Sequence, residues 1–221
     1  MMAWIAALPW IDIAEATQDT FIMLGASMTL TLIFGLPLGV LLFLTGKRQL
    51  LDAPIFYNTV SFLVNVFRSV PFIILLIVMM PATEFLTGTT IGIPGVIPPL
   101  VVGAAPFFAR LVETAFKEVD RGIIEATQAM GATTRQIVLG ALLPEALPGI
   151  IAALTVTAIA LVSYTAMSGL VGGGGLGDLA VRYGYHRYQN NVLIVTVLLL
   201  LLLVQCLQMT GDWLVRRFTR R

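Results

Sequence analysis

Residues 120–144 read DRGIIEATQAMGATTRQIVLGALLP and form the centre of the longest polar connection in an otherwise mostly apolar chain. Asp120 suits the N-cap of a helix over about 121–130, where its carboxylate can accept from the first free amides. Gly131 fits the C′ position that ends such a helix, because a left-handed backbone costs glycine nothing. Thr133-x-x-Gln136 has capping-box spacing and predicts a second helix, which Pro144 is expected to close. The pair carries Ile123, Ile124, Met130, Ile137 and Val138. A hairpin lying on lipid would show a polar face rich in Lys and Arg. This one sets only Arg121 and Arg135 against Asp120 and Glu125, so a protein partner is favoured.

The sequence around this connection is that of an integral membrane protein. Hydrophobic residues make up 58% of the 221 and charged residues 11%, against about 25% charged in soluble domains. Uncharged runs at 20–46, 85–109, 146–177 and 188–211 each exceed the roughly 20 residues a spanning helix needs. A fifth run, 53–83, is interrupted only by Arg68. Its halves are each too short to cross about 30 Å of hydrocarbon at about 1.5 Å per residue. One helix carrying Arg68 is therefore expected. The fold class that follows is all-α, with five spans at about 17–44, 54–80, 95–111, 148–171 and 190–212. The connection is 112–146, the N-terminal surface segment 1–16 and the basic tail 213–221.

Charge asymmetry orients the bundle. With the N-terminus outside, inner segments hold Lys47, Arg48, Arg110, Lys117, Arg121, Arg135, Arg216, Arg217, Arg220 and Arg221, and outer ones hold Arg182 and Arg187. That is the asymmetry of an N-out, C-in protein, with 112–146 in the cytoplasm. Trp4 and Trp10 suit the outer interface. No basic stretch precedes the first apolar run, so the first span is expected to stay in the chain. Gly35-x-x-x-Gly39 around Pro37 reads better as packing within the chain than as a dimer motif. Pro98, Pro99 and Pro106 predict departures from regular helix in the third span. Pro148 suits the first turn of the fourth, and Gly172–Gly175 end it.

Several functions are excluded. Cys206 and His186 stand alone, so neither a disulfide nor a metal site is expected. Gly46-Lys47 is followed by Arg48, and Leu41 stands where a phosphate loop needs its first glycine. No catalytic grouping, cofactor or nucleic-acid partner is expected, and nucleotide energy must come from another protein. All twelve carboxylates are placed in loops or at span ends, which argues against a secondary transporter built on membrane-embedded acids. A non-transporting scaffold would leave the polar residues of the spans unexplained.

Those residues fall in two groups. Asn65, Arg68 and Ser69 share a helical face by i, i+3, i+4 spacing. Arg68 either faces a water-filled path or is structural, bonding carbonyls freed by Pro71 or pairing with a carboxylate. Tyr164, Met167 and Ser168 share a face of the fourth span, read either as the lining of a cavity, with Met167 as an adaptable plug, or as ordinary packing. Gly172–Gly175 beside them is a hinge or simply a turn.

The 120–144 stretch also resembles a family signature: Glu-Ala-Ala, Gly after three residues, and Ile-x-Leu-Pro after nine more. Glu125, Ala126, Gly131, Leu143 and Pro144 match, while Thr127 and Ala141 depart from it. With Asn65–Leu76 (NVFRSVPFIILL), Val102–Phe107 (VGAAPF), Ala129–Ala132 (AMGA), Leu142–Gly149 (LLPEALPG) and Gly174–Gly177 (GGLG), the chain is similar to the permeases of bacterial methionine ABC importers. The resemblance implies a type I importer fold, a homodimer in the bacterial inner membrane, and two copies of an ABC ATPase docked on the cytoplasmic helix around Glu125–Leu143, with Met130 in it. It further implies a periplasmic or lipid-anchored substrate-binding protein, and a pore-constricting methionine at Met167 beside Tyr164 and Ser168. A permease for another small amino acid or solute is the alternative.

Overall fold

The computed structural model describes residues 8–219, and among these all regular structure is helical. α1 spans Trp10–Thr45, α2 Pro54–Ser69, α3 Phe72–Thr87 and α4 Gly92–Lys117. α5 is Arg121–Ala129 and α6 Thr134–Ile137; a π-helical segment, Val138–Leu142, leads into α7, Leu143–Ser168. A 3-10 turn at Gly169–Val171, α8 at Gly175–Leu179, a second π segment at Ala180–Tyr185 and α9 at Asn190–Phe218 follow. α1, α4, the run Thr134–Val171 and α9 are each long and apolar enough to cross a membrane; α2 and α3 add a fifth span only if counted as one.

That break corrects the expectation of a single helix through Arg68. Pro71 has no N–H to continue the α2 ladder and pushes Val70 out of the helical region. Pro71 itself is extended (φ −56°, ψ 134°) and caps α3 without a side-chain bond. Other boundaries move outward. Residues 10–16, expected as a surface segment, are the first two turns of α1. The 36 residues of α1 reach about 54 Å at 1.5 Å per residue, more than the about 30 Å of a bilayer's hydrocarbon. Trp4 lies outside the described residues. α9 continues to Phe218 and carries Arg216 and Arg217 in its last turn, where cations meet the free carbonyls. Arg220 and Arg221 also lie outside the described residues.

Proline is more easily absorbed than its sequence positions imply. α4 runs unbroken through Pro98, Pro99 and Pro106, so the expected departure there is absent. α4 also extends to Lys117, which places Glu113 inside a helix rather than in a connection. Pro144 does not close the second connecting helix but lies in the first turn of α7, where a missing N–H matters least. The π segment lies just before it: the Leu143 amide bonds Val138 O, and the wide turn takes up the crowding a proline ring imposes on the preceding turn. Residues 172–189, between the expected fourth and fifth spans, hold α8 and the second π segment.

The chain divides into two compact units, one from residues to Leu30, Val70–Gly103 and Ala158–Leu207, the other from Thr31–Ser69, Ala104–Thr157 and residues from Gln208. In the second unit, Phe43 and Leu44 of α1, Phe108, Val112 and Phe116 of α4, Ile124 of α5, Ile137 of α6 and Ala146 of α7 form one buried cluster. Gly35 and Gly39 set α1 directly on α4. A Cβ at Gly35 would stand 2.8 Å from Phe108 Cδ1, and one at Gly39 2.7 Å from Ala109 O and Val112 Cβ. Both glycines of this motif are thus used inside the chain. In the first unit, a bare-backbone contact fastens α8 to the end of α7. A Cβ on Gly177 would lie 2.2 Å from Ala166 O, and one on Gly169 2.2 Å from Asp178 N. The Leu176 amide donates to Thr20 Oγ1 of α1 at 2.9 Å, and Leu176 and Leu179 pack with Ile13 and Val192.

Candidate functional site

The elbow between α5 and α6 is built almost wholly from its own residues. Asp120 Oδ1 accepts from the Gly122 amide at 2.8 Å and caps α5. At the other end Gly131 is left-handed (φ 79°). Its amide donates to Gln128 O at 2.9 Å and that of Ala132 to Thr127 O at 3.2 Å, the paired bonds of a Schellman cap. Two residues later the capping box is complete. The Thr133 amide donates to Gln136 Oε1 at 2.8 Å, and the Gln136 amide donates to Thr133 Oγ1 at 3.4 Å. Two caps back to back leave the turn little conformational freedom.

One side of the elbow is core and the other is open. Ile124, Ile137 and Val138 are buried, which corrects the expectation that they are presented to a partner. Glu125, Ala126, Met130 and Gly131 are exposed, Met130 at 78%. Glu125, Ala126, Met130 and Gly131 of the signature region therefore lie on the open side of the elbow. Leu143 and Pro144 lie past the π segment, Leu143 packed against the buried cluster and Pro144 exposed. Thr127, where the signature has alanine, is half-buried, and its hydroxyl donates to Ile123 O and Ile124 O at 2.9 Å. The substitution is satisfied within α5 and leaves the outer face unchanged.

The N-terminal end of α5 is fastened to the turn between α1 and α2. Arg121 Nη2 donates to Arg48 O at 2.8 Å. Arg48 is itself left-handed (φ 62°), and its amide donates to Asp52 Oδ1 at 3.2 Å. Arg48, Gln49, Arg121, Glu125 and Gln128 border a cleft of about 100 Å³ beside this contact.

The polar residues of the spans have different surroundings. The Tyr164 ring stacks on Phe72, with centroids 4.5 Å apart and planes 8° from parallel. Met167 is half-buried. Ser168 is fully buried, its hydroxyl donating to Thr165 O at 2.7 Å and its carbonyl accepting from the Gly173 amide at 3.0 Å. Of the three, Tyr164 and Met167 keep partly open side chains. Arg68 is exposed at the end of α2, its guanidinium 5.8 Å from the Phe107 ring centroid. Among the described residues no carboxylate or freed carbonyl bonds it. In the first unit, Asp12, Glu15, Asp19 and Asp178 with Arg182 border a cavity of about 190 Å³. It is closed on one side by the Tyr183 hydroxyl donating to Asp12 Oδ2 at 2.9 Å.

One site was missed in the sequence. Glu113 of α4 is fully buried. Its Oε2 pairs with Arg110 Nη1 at 2.5 Å, and its Oε1 accepts from Lys117 Nζ at 2.7 Å and from the Tyr57 hydroxyl at 2.9 Å. Arg110 Nη2 reaches Ser61 Oγ at 2.8 Å and Asn65 Oδ1 at 3.1 Å on α2. The signal was present in Arg110-x-x-Glu113-x-x-x-Lys117, whose spacing places all three on one helical face. The burial of Glu113 follows from α4 continuing to Lys117, into the expected connection 112–146.

The profile of the family described as binding-protein-dependent transport system inner membrane component matches residues 35–221. The probable D-methionine transport system permease protein MetI of Vibrio cholerae is 48% identical over 206 residues, covering 93% of this chain and 92% of its own. The methionine import system permease protein MetP of Bacillus subtilis is 42% identical over 216 residues, covering 96% and 97%. A solved structure of inward-facing conformations of the MetNI methionine ABC transporter (CY5 native crystal form) contains a chain 48% identical, with a TM-score of 0.93 and coverage of 96% of this chain and 97% of that one.

Proposed function

This chain belongs to the family of binding-protein-dependent transport system inner membrane components, and on that premise we propose that it is the permease subunit of an ATP-driven importer of methionine. It is a multi-pass bacterial membrane protein and a transport subunit rather than an enzyme. In this reading two copies form the translocation path in the inner membrane, each crossing five times with α2 and α3 as one broken span, N-terminus out and C-terminus in. A separate ATPase, in two copies, drives alternating access, and a periplasmic or lipid-anchored binding protein delivers substrate. The observation that carries the proposal is the two-sided elbow. Glu125, Ala126, Met130 and Gly131 face outward on a helix whose other side, Ile124, sits in the buried cluster with α1, α4 and α7. A partner gripping the outer face moves that core with it. Leu143 and Pro144 complete the signature at the entry to α7. Met167 and Tyr164 are assigned to the pathway in this reading, supported by their partly open side chains beside the buried Ser168, as is Arg68, exposed at the broken span.

Uptake of radiolabelled methionine into vesicles is the direct test. The permease reconstituted with its ATPase and binding protein takes up methionine only when ATP is present. Uptake by the permease alone would instead indicate a secondary transporter. A point substitution tests the docking face. Glu125→Lys reverses an exposed charge, and like-charge contact at an interface costs several kcal/mol, so ATPase association is expected to weaken about tenfold or more. Membrane insertion is expected at wild-type level, because Glu125 has no partner to lose in the buried cluster. Association is read by co-purification from detergent, and wild-type recovery of the ATPase by this variant would remove the elbow from the interface.

A further inference from the structure

Glu113 holds a fully buried carboxylate against two cations of its own helix and one hydroxyl of another. Stability alone does not account for it, since well-packed apolar residues in place of a buried ion pair are often as stable or more so. What the network adds is register. Tyr57, Ser61 and Asn65 lie at successive i, i+4 positions of α2, and meet Glu113 and Arg110 on α4. A slide of about half a helical turn would set these cross-helix bonds, which include Arg110 Nη2 to Ser61 O at 3.4 Å, out of register together and take the Tyr57 hydroxyl from the buried Glu113 carboxylate. Such a ladder is either engaged or broken.

We propose that Glu113 is a positioning residue that locks α2 to the C-terminal half of α4, so that both move as one body with α5. The inference rests on the reading of α5 as the docking helix and extends it to a residue outside the signature. Lys117, the residue after Phe116 of the buried cluster's α4 face, ends α4, and only Glu118–Asp120 separate it from α5. Displacement of α5 therefore reaches α4 over a very short connection. From α4 it reaches α2 through Tyr57, Ser61 and Asn65, which would carry it on to the break at Val70–Pro71. Without the lock, α4 would follow the ATPase while α2 lags.

The test uses the full transporter in vesicles, with spin labels at exposed Asn58 on α2 and Glu118 beyond α4 in a Cys206→Ser background. In the wild type the distance between the two labels of one copy, isolated by diluting labelled with unlabelled permease, is expected to be narrow and the same without nucleotide and with trapped ATP. Glu113→Gln keeps the side-chain size but removes the charge. It is expected to retain ATPase association and ATP hydrolysis, to lose about tenfold in methionine transported per ATP, within the range that coupling residues show, and to shift or broaden the distance on trapping. Should Glu113→Gln fail to accumulate, the double variant Tyr57→Phe with Asn65→Ala removes cross-helix bonds and leaves both ion pairs on α4. It is expected to move the distance and the transport ratio in the same direction. Unchanged coupling and unchanged distances in either assembled variant would overturn the proposal. Failure of the docking reading shows separately, as normal ATPase recovery by Glu125→Lys.

Discussion

Gly177→Ala is expected to destabilise the protein severely, with a large fall in its melting temperature in detergent. The added Cβ would stand 2.2 Å from Ala166 O and 2.4 Å from Ala166 Cα, and neither is a flexible side-chain end that could swing aside. Backbone would have to move, and Gly169 meets Asp178 just as closely on the other side of the same contact. Overpacking costs about 1–3 kcal/mol where side chains can yield, and more where they cannot; against a typical total of about 5–15 kcal/mol, a cost above that range is severe. The same segment also anchors α1, through the Leu176 amide on Thr20 Oγ1, so displaced α8 would lose that bond as well. Thermal melting in detergent, with Gly140→Ala as a control, measures the effect. Nothing lies within 4 Å of a Cβ at Gly140, and that variant is expected to melt near the wild type. Equal melting of the two would show that α8 repositions freely.

Gly131→Pro is expected to eliminate ATPase association and methionine uptake while leaving insertion intact. Proline fixes φ near −65°, whereas Gly131 sits at 79°. It also removes the amide that donates to Gln128 O and disfavours the near-helical backbone of Met130, which has φ −78° and ψ 1°. The cap cannot form, and the outer face from Glu125 to Met130 loses its angle to α6. The loss in association is expected to exceed about a hundredfold, or about 2.8 kcal/mol at 1.4 per decade. Gly131→Asn is the control, because asparagine tolerates the left-handed region, and it is expected to recover most of the binding. Co-purification of the ATPase with both variants decides the matter. Equal recovery would mean that the partner does not read this turn.

The elbow was legible because its signals are local: Asp120, Gly131 and Thr133-x-x-Gln136 each act within four residues, and all three formed as expected. Burial was less legible. Ile124, Ile137 and Val138 read as a docking face because sequence cannot say which side of a short helix meets Phe43 and Phe116. Proline misled in both directions, since Pro71 breaks the chain where a continuous helix was expected, while Pro106 and Pro144 are carried within helices. What decides between these outcomes is whether neighbours satisfy the freed carbonyls, and that is a tertiary property. Glu113 shows the same limit: its residue type and spacing were visible, but its burial depended on α4 continuing to Lys117.

The back-to-back caps at Met130–Thr133 have a kinetic corollary. A surface whose amides are already bonded at home has nothing left to order when another protein arrives, so the entropic toll of complex formation falls mainly on rigid-body freedom. Encounter with such a preformed shape needs no folding step and is expected to be a fast, simple bimolecular event.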